Sequence, residues 1–134
     1  MMGLTRKGEY AIRGMVYLAR QEPGKLILVN EIAETVDVPQ SFLAKIFQGL
    51  TRLGLVRSSR GAGGGFTLAR PAAEISLREV IEAVEGPICA NRCVIDAGFC
   101  DRSGNCTVHP IWHRVQDQVR TILNGVSLAE LSQP

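Results

Sequence analysis

The stretch NEIAETVDVPQSFLAKIFQGLTRLG, residues 30–54, decides the fold. Its first part places Ile32, Ala33 and Val36 on one helical face behind Asn30, a side chain suited to capping a helix start. Asp37-Val38-Pro39 then reads as a turn, with Pro39 suited to a first helical position. Beyond it Phe42, Leu43, Ile46, Phe47, Leu50 and Leu53 recur at helical spacing until Gly54 ends the run. Two helices joined by about three residues make a helix-turn-helix. The other face of the second helix carries Gln40, Ser41, Ala44, Lys45 and Gln48, with one cation and no acid. Such a face suits a DNA groove, where a carboxylate would meet phosphate repulsion.

Working outward, Thr5 to Arg20 sets Ala11, Met15, Leu18 and Ala19 on one helical face before Glu22-Pro23-Gly24 stops it. On the other side, Leu55 to Arg60 and Phe66 to Pro71 are two short strands around Gly61-Ala62-Gly63-Gly64-Gly65. A nucleotide-binding loop needs a Lys and a Ser or Thr opening a helix directly after the glycines; here a strand follows. The hairpin therefore reads as a wing, with Arg57 and Arg60 placed to meet phosphate and Gly63 and Gly64 letting the backbone come close to DNA. An exposed hairpin with two solvated arginines is the plainer alternative. Ser76-Leu77-Arg78-Glu79 is a capping box opening a helix that Gly86-Pro87 closes. Pro110 to Asn124 forms a last long helix with Ile111, Val115, Val119, Ile122 and Leu123 on one stripe, and Ser127 to Glu130 adds a final turn.

The expected class is mainly α with a small β-hairpin wing. Three regions are expected: a winged helix-turn-helix unit over 1–87, a cysteine-rich loop over 88–109, and a dimerisation helix with its C-terminal turn over 110–134. Residues 1–71 hold ten basic and five acidic side chains, net +5, whereas residues 72–134 hold five and eight, net −3. That asymmetry suits double-stranded DNA as partner of the front half. The long helix is expected to make a homodimer, which would present two recognition helices ~34–36 Å apart. No run approaches the ~20 apolar residues of a membrane span and no secretory signal opens the chain, so the expected location is the cytoplasm. No Ser/His/Asp order, paired carboxylates or cofactor fingerprint appears, so neither an enzyme nor a small-molecule substrate is expected.

In the cytosol Cys89, Cys93, Cys100 and Cys106 are kept as thiols, and four of them in a loop point to metal before disulfides. Their intervals are x3, x6 and x5, and His109 stands three residues after Cys106. Structural zinc favours close C-x2-C pairs, absent here, whereas an iron-sulfur core tolerates wider gaps and a histidine or carboxylate as fourth donor. Zinc, and a metal-free thiol oxidised through a sulfenic acid, stay open alongside the cluster. So does a metal-binding module whose winged helix meets protein rather than DNA.

Several motifs together carry a resemblance: Glu31-Ile32-Ala33, Phe42-Leu43, Gly54-Leu55-Val56, Arg60-Gly61-Ala62-Gly63-Gly64-Gly65-Phe66, Val84-Glu85-Gly86-Pro87 and Cys93, Cys100, Cys106. Over nearly its whole length the chain resembles the IscR/NsrR-type (Rrf) bacterial winged-helix regulators. The resemblance implies DNA binding modulated by an iron-sulfur cluster, with 2Fe-2S placed ahead of 4Fe-4S. It also implies that Cys93, Cys100 and Cys106 are the thiolate ligands and Cys89 an additional thiol. For the fourth ligand it offers His109, in Cys106-x-x-His109, or an acid from the partner subunit's first helix at the position of Glu9. The family also contains members without a cluster. From the exposed helix face and the hairpin themselves, the expected DNA contacts are Gln40, Ser41, Phe42 and Lys45 on the recognition helix with Arg57, Arg60, Gly63 and Gly64 on the wing.

Overall fold

The computed structural model describes residues 3–61, 63–89 and 104–133. Helices α1 (Arg6–Ala19), α2 (Val29–Val36) and α3 (Gln40–Arg52) precede a hairpin of β1 (Val56–Ser59) and β2 (Gly65–Leu68). A short 3-10 turn (Ala72–Glu74), α4 (Leu77–Glu85), α5 (His109–Asn124) and α6 (Leu128–Leu131) follow.

Helix α1 opens at Thr5, whose hydroxyl accepts the Gly8 N–H at 3.2 Å. It buries Ala11, Met15 and Leu18 against α3 and α4, as the periodicity predicts. Leu43, Ile46, Phe47 and Leu50 of α3 fill the same core, each contributing about 1.5–3 kcal/mol by leaving water. Two residues of the expected stripe depart from it: Phe42 is 55% exposed and Leu53 59%. At 3.6 residues per turn the buried arc is already filled by Leu43, Ile46, Phe47 and Leu50, so Phe42 falls beyond its edge and Leu53 beyond the helix end.

The start of α2 also differs from expectation. The helix opens at Val29, with Leu28 in the capping position and no side-chain cap; Asn30 lies within its first turn. The reason is a strand-like bridge just upstream. Ile27 N–H donates to the Phe66 carbonyl at 2.9 Å and Phe66 N–H to the Ile27 carbonyl at 2.8 Å, so the chain arrives extended and turns straight into helix. Gly65 permits this approach: its φ is +139° and a Cβ there would overlap the Ile27 backbone. Asp37, at φ 57°, ends α2 in the left-handed region, and Pro39 caps α3 rather than occupying its first position. A helix boundary is soft by about a residue.

The hairpin pairs Val56 with Leu68 through Ser59 with Gly65, and Phe66 meets the Phe47 ring edge-on at 5.2 Å between centroids. Wing and recognition helix are thus packed together. The expected capping box at α4 is present: Glu79 N–H donates to Ser76 Oγ at 3.1 Å and Ser76 N–H to Glu79 Oε2 at 3.0 Å.

The chain then returns. Leu77 N–H donates to the Val126 carbonyl at 2.8 Å and Leu128 N–H to the Ile75 carbonyl at 2.9 Å, an antiparallel bridge centred on Ser76 and Ser127. Leu128 is fully buried in the core shared with α1 and α4, so the final turn packs on the winged unit. Helix α5 lies against α4, yet its expected apolar stripe is only partly covered within one chain: Ile111 is 46% and Ile122 63% exposed. No described helix is long and apolar enough to cross a membrane.

Candidate nucleic-acid interface and metal centre

Helix α3 separates its two duties by face. Leu43, Ile46, Phe47 and Leu50 anchor it, while Gln40, Ser41, Phe42, Lys45 and Gln48 all stand exposed on the opposite side. No side chain caps its first turn, so the N–H groups at its start remain open to an acceptor such as phosphate. No carboxylate interrupts that face, and Lys45 supplies its positive charge.

Arg57 and Arg60 are exposed on the hairpin, and Gly63 is exposed at its tip with φ +74°. Gly64 is different from the surface glycine expected there. It is buried inside the turn, its N–H donates to the Gly61 carbonyl at 3.0 Å, and a Cβ would overlap the Ser59 carbonyl. Its need for glycine arises within the hairpin. The helix-turn-helix is braced from behind by Tyr17, whose hydroxyl donates to Glu31 Oε2 at 2.8 Å. That bond to a carboxylate, followed by partial burial, raises the Tyr17 pKa above its ordinary 10.0.

Of the candidate metal ligands, Cys93 and Cys100 lie outside the described residues. Cys106 is a half-buried free thiol just before α5, and His109 is the first residue of that helix, one residue earlier than expected. Cys89, half-buried, stands three residues beyond Gly86 at the other root of the loop. Glu9 is exposed in the first turn of α1. Among the described residues no three His, Cys, Asp or Glu side chains converge on one point. A cation sits at the loop's root: Arg120 Nη2 donates to the Ile88 carbonyl at 3.1 Å, and its buried Nε has no acceptor among the described residues.

One arrangement was not read from the sequence. His113 is exposed, and its Nε2 lies 3.1 Å from Nε2 of His109. The signal was present as spacing: residues four apart on a helix share a face.

The Rrf2 family pattern, described as an iron-dependent transcriptional regulator, matches residues 4–134. The chain belongs to the Rrf2 family. It is 35% identical over 130 residues to the HTH-type transcriptional regulator IscR of Escherichia coli (strain K12 / DH10B), covering 97% of this chain and 80% of that one. Among solved structures it is similar to CymR, the global cysteine regulator of B. subtilis, with TM-score 0.81, 27% identity and coverage of 98% and 97%. It is similar also to T. potens IscR, with TM-score 0.78, 26% identity and coverage of 96% and 85%. The oxidized form of Staphylococcus aureus CymR matches with TM-score 0.78 and 31% identity over 99% and 98% of the two chains. This Rrf2 protein is accordingly a DNA-binding transcriptional regulator and not an enzyme.

Proposed function

We propose that DNA binding by this Rrf2 regulator is modulated by an iron-sulfur cluster carried on the loop between α4 and α5, as the IscR relationship and the donor chemistry support. Cys93, Cys100 and Cys106 would hold it as thiolates, with His109 as fourth donor and Glu9 of a second copy as the alternative. The described part of this set fits. Cys106 stands three residues before His109, the first residue of α5, and the Arg120 cation at the loop's root suits an anionic thiolate group. When bound, the cluster supplies a one-electron, oxygen- and supply-sensitive centre, with 2Fe-2S placed ahead of 4Fe-4S.

The chain's own residues do the rest. Gln40, Ser41 and Phe42 reach base edges from the start of α3, Lys45 and Arg57 meet phosphate, and Arg60 with Gly63 brings the wing to the neighbouring groove. Ile111 and Ile122 of α5, exposed in one chain, are covered in a homodimer that sets the spacing of two recognition helices. The observation that carries the reading is the position of Cys106 and His109 at the mouth of α5. Whatever the loop binds acts directly on the helix that orients the two DNA-binding units.

A second reading is a cluster-free thiol switch, favoured by the similarity to the cysteine regulator CymR. Anaerobic purification with iron, sulfide and zinc analysis, paired with promoter-DNA binding before and after air exposure, separates the two. Iron and sulfide that vanish in Cys93→Ala, Cys100→Ala and Cys106→Ala support the cluster. Metal-free protein whose DNA binding still responds to a peroxide supports the thiol switch.

A further inference from the structure

The first turns of α5 carry a pair of histidines with a geometry of their own. Nε2 of His109 and Nε2 of His113 face each other at 3.1 Å, with the rings at 84° and their centroids 4.7 Å apart. Two nitrogen donors at ~2.0–2.1 Å from a shared metal are separated by roughly 2.9 Å when they bind at right angles and roughly 3.3–3.4 Å when tetrahedral. The observed separation lies between these values. The spacing is the one that sets two histidines on one helix face as a chelate, four residues apart.

We infer that His109 and His113 form a two-histidine chelate for a borderline divalent cation of the zinc, nickel or copper class. Imidazole is the donor these ions share, whereas magnesium and calcium require oxygen. His113 is exposed and His109 half-buried, so the pair lies at the surface of the helix. Asp117 stands four residues beyond His113 on the same helix, so a carboxylate lies one turn further along that face. No third His, Cys, Asp or Glu closes the set among the described residues, so water or a group from elsewhere completes the coordination. The chelate occupies His109 and fixes it to the α5 surface. A loaded pair therefore withdraws that histidine from the cysteine loop, which makes the cation a second input, opposed to any ligand the loop holds through His109.

The test uses the full chain, purified in air and with its thiols alkylated by iodoacetamide, so that cysteine ligation is silenced. Nickel chloride is titrated by calorimetry, and the imidazole nitrogens are followed by proton–nitrogen NMR. One Ni2+ per chain is expected, with both Nε2 signals perturbed. His113→Ala should bind about tenfold or more weakly, since losing even an outer-shell partner costs that much and here one of two ligands is gone. His113 is exposed, so unchanged circular dichroism is expected to accompany the loss. Equal affinity in His113→Ala, or no binding by the alkylated parent, overturns the site and reduces the pair to a shared hydrogen bond. Alkylation removes the cluster ligands, so this result is independent of whether the cluster reading stands.

Discussion

The carboxylate of Glu85 accepts both the backbone N–H and the hydroxyl of Thr5, each at 2.6 Å, across 80 residues of sequence. Thr5 is the cap of α1 and Glu85 the last residue of α4. The helix that carries Glu9 is thus tied to the point where the chain departs toward the cysteines. Glu85→Ala removes an anion from a helix N-terminus together with two hydrogen bonds at the surface. Stability should fall by about 1 kcal/mol, as a shift in urea midpoint at constant slope.

Lys45 is exposed on a helix face without carboxylates. Lys45→Ala should leave thermal stability unchanged, weaken promoter binding and lower the slope of log affinity against log salt by about one. Parallel salt plots for the two proteins would remove Lys45 from the phosphate contacts. Phe42→Ala discriminates in another way: more than half exposed in the free chain, it should affect DNA binding far more than folding.

Gly65 is required by the Ile27 backbone rather than by DNA. Gly65→Ala should cost about 2 kcal/mol or more, through strain at positive φ and loss of the paired Ile27–Phe66 bonds. The loss should appear in denaturant unfolding without any nucleic acid present.

Burial alone would raise the pKa of Glu79, but the Ser76 N–H and the Arg70 guanidinium at 2.8 Å outweigh it and hold the carboxyl below 4.5. A carboxyl with a depressed folded pKa lends stability that is present above its unfolded value and lost as pH falls through the folded one. The urea midpoint should therefore decline on acidification below 4.5, and Glu79→Gln should flatten that part of the profile. An identical acid limb in the variant would assign the loss to other carboxylates.

Ile122→Glu tests the dimer. The side chain is 63% exposed in one chain, so the substitution leaves the monomer's core intact. Sedimentation should show a shift from dimer to monomer and, with it, loss of tight operator binding. A dimer that persists would place the interface elsewhere.

The parts of this molecule legible in the sequence are those set by neighbours a few residues apart. The stripe Leu43, Ile46, Phe47, Leu50 and the Ser76–Glu79 capping box both arise within one or two helical turns, and both are where periodicity and capping chemistry put them. What the local pattern does not carry depends on long-range partners. Asn30 loses the capping position because Ile27 is held by Phe66, 39 residues away, and the burial of the expected final turn depends on the Leu128 N–H meeting the Ile75 carbonyl. For the candidate site, the exposed face of α3 follows from its own pattern, whereas the seclusion of Gly64 depends on how the hairpin turn closes over Ser59. The His109–His113 pair is present in the sequence as helical spacing, but the approach of the two rings depends on α5 beginning at His109 itself.

The bridge between Ser76 and Ser127 gives α5 a pinned end. The Leu77 N–H at the start of α4 holds the Val126 carbonyl two residues after α5 finishes, and α5 lies against the same α4, so both helices meet at one fastened corner. A rigid shift of α5 therefore has to carry the start of α4 with it or break that bridge.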